Sequence, residues 1–165
     1  MARVQLIDRD LEALKHIARN LRERDRQEIF ATRWDDDPDN LAEDTFSCGD
    51  FQWIALLDGE PVAVVGAAPA WPGFWTVFAY GTDKWPKVLV TLTRHVRRFI
   101  YPALWNSGAR RVQCHALSTH EDARKWLTFL GAREEAVLDN YGKNGETFIQ
   151  YLWDRGDVRQ ETEGR

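Results

Sequence analysis

Long apolar runs are missing from this chain of 165 residues. No stretch is long enough to span a bilayer, and the N-terminus has no apolar signal core, so the chain reads as cytoplasmic. Cysteine is scarce. Cys48 and Cys114 lie far apart and neither belongs to a CxxC pair, which excludes a disulfide framework and suits a reducing compartment. Charge of one sign does not dominate the chain. The net charge of -4 gives no reason to expect nucleic acid as a partner. There is no internal repeat and no low-complexity tract. No metal is expected either: the run Asp35-Asp36-Asp37 has no second acidic cluster, and capping plus solvation explains it.

What is present fits one globular domain with a real core, since 44% of residues are hydrophobic and 29% charged. That domain is expected over residues 1–154, with a polar, disordered tail at 155–165. The eight tryptophans read first as core and rim packing, with ligand contact as the alternative.

The spacing predicts a strand at Val4 to Ile7, then one long helix to about Thr32 capped by Asp8 or Asp10. Its surface run, Arg19 to Glu28, reads as a solvated face of mixed charge. Asp37-Pro38 starts a short helix to about Phe46. Phe51 to Leu57 and Pro61 to Ala68 form a hairpin around Asp58-Gly59, and Phe74 to Tyr80 is the next strand. Asp83 caps a long helix from Lys87 to about Ala103, which closes near Asn106-Ser107-Gly108. Within it, Arg94, His95, Arg97 and Arg98 are a candidate docking stripe, with a solvated face as the competing reading. Arg110 to Leu117 is a strand, Ser118-Thr119-His120-Glu121 resembles a capping box, and the helix it opens closes at Gly131. Ala132 to Leu138 and Thr147 to Trp153 are the last strands. The fold class is therefore α/β (α+β), a central mixed sheet of six to seven strands flanked by about four helices.

That order, together with Ser118 to Ala132, resembles the GNAT superfamily of N-acetyltransferases. The family's helix runs Ala-x-x-apolar-Tyr-x-x-x-Gly, and Ala123, Trp126, Leu130, Gly131 and Ala132 match it. A narrower resemblance, carried by Thr91 to Trp105 and Ser118 to Ala132, is to GNAT-like proteins of tailed phages, including an internal virion protein of short-tailed phages.

The resemblance implies acetyl-CoA as cofactor and a small-molecule or protein amine as acceptor. The phage form implies virion proteins as partners, in the host cytoplasm or the particle. It places a pyrophosphate loop at Tyr80, Gly81, Thr82, Asp83, Lys84 and Trp85, with Lys87 beyond. The strand at Phe78, Ala79 and Tyr80 would hold the pantetheine arm, and Trp126 would line the cofactor cleft. Asp83 and Trp85 stand where the family has small residues, and Pro86 removes an amide donor. The family's acid, a Tyr, falls on Leu127. Substitutes for acid or base work are Tyr80, His115, Ser118 and His120. Two functions follow: an N-acetyltransferase with a degenerate loop, or a catalytically inactive GNAT-like structural or morphogenesis protein.

Overall fold

A computed structural model describes residues 1–155. The expected tail at 155–165 therefore lies, apart from Arg155, outside the described residues. Seven strands form one sheet. They are β1 (Val4–Asp8), β2 (Gln52–Leu57), β3 (Glu60–Trp71), β4 (Phe74–Gly81), β5 (Arg111–Leu117), β6 (Arg133–Leu138) and β7 (Phe148–Asp154), in spatial order β1-β2-β3-β4-β5-β7-β6. All neighbours pair antiparallel except β4 and β5, which run parallel. β3 is buried on both faces from Val62 to Ala67, so its apolar residues run continuously rather than alternating.

Three helices cover one face: α1 (Leu11–Arg19), α2 (Glu23–Phe30) and α3 (Pro38–Ser47). Their Leu14, Ile17, Phe30 and Leu41 pack on Ile54, Val64 and Tyr80 of the sheet. The other face carries α4 (Trp85–His95), α5 (Tyr101–Asn106) and α6 (Glu121–Phe129), packed through Val88, Leu92, Leu104 and Leu127. Among the described residues no helix is long and apolar enough to cross a membrane.

Local chemistry explains most boundaries. Asp10 accepts from the Ala13 amide at the start of α1, and Asp37 with Pro38 opens α3. Gly131, at φ 92°, closes α6 in a conformation that disfavours residues with a Cβ.

Three expectations are corrected. The helix expected to reach Thr32 breaks at Asn20–Arg22, because Leu21 forms a β-bridge with Thr82 and the Arg22 amide donates to Gly81 O at 3.0 Å. The helix expected from Lys87 to near Asn106 starts earlier, at Trp85, and carries a π-helical turn at Val96–Ile100 between α4 and α5. That turn ends two residues before Pro102, whose ring and missing amide disrupt a regular α-helix. The cap of α6 is His120 rather than Ser118: its Nδ1 accepts from the Ala123 amide at 3.4 Å.

Candidate functional site

The parallel seam between β4 and β5 is short. It pairs Phe74 with Arg111, Trp75 with Val112 and Thr76 with Gln113, then stops. Beyond it each strand stays with its own antiparallel neighbour, β4 with β3 up to Gly81–Ala63 and β5 with β7 up to Leu117–Phe148. The two strands part, and a gap opens through the sheet.

Alternation decides which backbone groups face that gap. The Thr82 amide donates back to Val62 O of the hairpin at 2.8 Å, and Gly73 O accepts from the Arg111 amide at 3.1 Å. The gap-facing backbone groups of β4 therefore belong to Val77, Ala79 and Gly81. Those of Phe78 and Tyr80, the expected pantetheine holders, face β3. On β5 the Ser118 amide turns to Thr147 O, so His115 and Leu117 face the gap.

Helix α2 fills part of the opening with two carboxylates. Asp25 and Glu28 lie three residues apart and so share one helix face. Asp25 is 2% exposed. Its carboxylate accepts from the Gly81 amide at 2.8 Å and from His120 Nε2 at 2.6 Å, and it ion-pairs with Arg22 Nε at 2.9 Å. Because Ala123 N–H donates to His120 Nδ1, the imidazole proton sits on Nε2 and points at Asp25. Glu28 has a poorer shell. Its Oε2 accepts from the Leu117 amide at 2.8 Å. Burial raises its pKa from 4.5 to about 7, while the Leu117 hydrogen bond opposes the rise.

A cavity of about 450 Å³ runs through the gap. Glu28, His115 and Tyr141 line it on the α2 side, and Trp85, Ala123 and Trp126 on the α6 side. Trp85 is buried and meets Trp126 edge to face at 5.2 Å between centroids, and the Arg22 guanidinium lies 4.7 Å over the Trp85 ring. Trp126 is fixed by its indole N–H, which donates to Thr93 Oγ1 at 2.9 Å. The two rings thus wall the cavity where an open groove would otherwise run between α4 and α6.

The other expected residues separate into groups. His115 lines the cavity, 3.1 Å from Gln150 Oε1 and with its ring 5.1 Å from that of Tyr141. Tyr80 is 3% exposed. Its hydroxyl hydrogen-bonds Thr45 at 2.7 Å, burial pushes its pKa well up, and it lines the cavity from the α1–α3 core. Ser118 lies apart from these residues. It neither caps α6 nor lines this cavity, and its carbonyl accepts from Arg124 at 2.9 Å. Cys114 packs against the α4–α6 core, away from the face that carries His115, and burial raises its pKa. Leu127 is buried in the same core.

Most amides of the β4–α4 turn have partners within the chain. The amides of Gly81, Thr82, Lys84, Trp85 and Lys87 donate to Asp25, Val62 O, Thr82 Oγ1, Thr82 O and Lys84 O respectively, and Pro86 has none. Lys84 precedes the helix where Asp83 was expected, and its ammonium pairs with Glu60. Asp83 and Lys87 are exposed. The stripe at Arg94–Arg98 is broken too: His95 packs edge to face on Trp53 at 4.6 Å, and Arg97 donates to Phe129 O. Asp35, Asp36 and Asp37 hold Asn40, Lys143 and the α3 amide at Asp39.

No family model matches the sequence, and no curated protein matches it. Solved structures do match. Ard1 from Thermoplasma volcanium superposes at TM-score 0.70 with 9% identity, covering 92% of this chain and 97% of its own. A GNAT-family acetyltransferase from Bacillus anthracis gives 0.68 and 8% over 92% and 95%. The ribosomal-protein-S18-alanine N-acetyltransferase from Escherichia coli gives 0.64 and 16% over 93% and 94%. Identities this low establish the fold and nothing finer: the chain has the GNAT acetyltransferase fold. The narrower resemblance to phage virion proteins gains no support from these structures.

Proposed function

We propose that the chain is an N-acyltransferase-type protein whose acceptor amine binds in the through-sheet cavity beside Glu28. The observation that carries this reading is Glu28 itself, a carboxylate at the gap with a pKa of about 7. A general base works best when its pKa lies near the working pH. An ammonium group entering the cavity meets this carboxylate and the ring of Tyr141, both favourable to a cation. Glu28 takes a proton from the amine and leaves nitrogen free to attack an acyl carbon. His115, on the same side, orients the amine or relays the proton. The acceptor is a small-molecule or protein amine.

Acetyl-CoA is the donor that this fold's relatives suggest, and the residues present suit it only in its slender arm. The gap-facing groups of Val77, Ala79 and His115 suit strand-like bonds to such an arm. The Gly81–Lys87 turn does not suit the diphosphate, and Leu127 supplies no acid for a departing thiolate.

The test is an amine panel incubated with acetyl-CoA and S-acetyl-pantetheine, with products read by mass spectrometry. Acetylated product that falls about 100-fold or more in Glu28→Gln supports the reading. Absence of product from every amine and donor sinks it. The engaged turn amides favour a second reading, a catalytically inactive GNAT-like protein of structural or morphogenetic role. Full loss of donor binding, with the fold intact, is its expected signature.

A further inference from the structure

The most completely satisfied ionised group at the gap is one that acyl transfer does not use. Asp25 joins three elements: α2, which carries it; the end of β4, through Gly81; and the start of α6, through His120. Its partners are a main-chain amide at a strand end, an imidazole N–H and a guanidinium. Such convergent donors at a strand-to-helix turn are what a phosphate oxygen seeks. Here the chain supplies the anion itself. The packing around it is equally closed. Arg22 is sandwiched between Asp25 and the Trp85 ring, and a Cβ on Gly81 would lie 2.7 Å from Trp85 Cε3 and 2.8 Å from Val62 O.

We propose that Asp25 is a resident anion that occupies the donor set at the head of the β4–α4 turn, so that this chain gains no affinity from the diphosphate of a nucleotide-bearing ligand. The inference rests on the acyltransferase-type reading only for where such a diphosphate would lie. Any acyl donor is then recognised through its acyl group and slender arm, with the nucleotide end left unheld. An inactive descendant of the fold carries the same turn and binds neither.

Calorimetry on the full chain separates these cases. Wild-type protein is titrated with acetyl-CoA and with S-acetyl-pantetheine. Affinities within tenfold of each other support both the inference and the acyltransferase-type reading. Binding of neither ligand supports the inference and removes the acyltransferase-type reading. Acetyl-CoA bound tenfold or more tightly than S-acetyl-pantetheine overturns the inference and leaves that reading standing. A second arm uses inorganic pyrophosphate as the probe. Wild type is expected to show no heat at millimolar pyrophosphate, and Asp25→Ala to bind it at least tenfold more tightly, because Gly81 N–H, His120 and Arg22 are released. A folded Asp25→Ala protein, judged by circular dichroism, that still ignores pyrophosphate overturns the resident-anion assignment. If that variant does not fold, the wild-type ratio decides alone.

Discussion

Asp25 and Glu28 stand one turn apart on the same helix, and each receives the amide at the end of one diverging strand, yet their chemistry differs. Asp25 has an amide, an imidazole N–H and a guanidinium around it. Glu28 has the Leu117 amide and largely apolar walls, and its pKa climbs to about 7. The number of donors separates a carboxylate that ties three elements together from one held by a single strand-end amide. One end of the gap is thus closed by a carboxylate with three partners, and the middle stays open beside one held by the Leu117 amide.

The largest test of that contrast is Asp25→Ala. It strands two buried donors and a guanidinium, and a loss of about 3 to 5 kcal/mol is expected. Thermal melts should show a drop on the order of 10 °C, and a drop under 2 °C would remove Asp25 from its central role. Next comes Glu28→Gln. The folded pKa lies above the ordinary 4.5, so the stabilising contribution of Glu28 is complete below that value and is lost as pH rises through about 7. The variant should match wild type at pH 4 and exceed it at pH 8 by up to about 3 kcal/mol. A difference that does not change with pH would mean Glu28 titrates normally. Gly81→Ala should cost about 1 to 3 kcal/mol through the clash with Trp85 and Val62 O, measured in urea. The smallest effect is expected at Lys84→Ala. Its partner Glu60 has its pKa lowered by the contact with Lys84, and the loss should be the smallest of the four and shrink with salt.

Much of the fold was legible because its signals are local. Asp37-Pro38, Asp58-Gly59 and Gly131 set chain direction through their own backbone preferences, and the structure obeys them. The break between α1 and α2 was not, since Leu21 leaves the helix to bridge Thr82, a partner sixty residues away in sequence. The π turn was hidden for a related reason: apolar spacing continues through Val96 and Ile100 regardless. At the site, Trp85 and Trp126 could be singled out from residue type. The two carboxylates could not, because they sit in a run of mixed charge that looks like a solvated face. One faint signal existed. Leu21, Asp25, Glu28 and Ile29 share one helical face, and a charge on an apolar face is a buried charge in waiting.

The three-residue seam between β4 and β5 has a mechanical consequence. The β3–β4 ladder runs over eight residue pairs and the β5–β7 ladder over seven, so the sheet is weakest in its middle. Helix α2 reaches both sides of that weak line, gripping Gly81 on one and Leu117 on the other. Amide hydrogen exchange should therefore resolve two cooperative blocks, β1 to β4 and β5 to β7, that open apart before either melts. In that light α2 is the rivet of a hinged plate, and whatever enters the cavity sets how far the plate can swing.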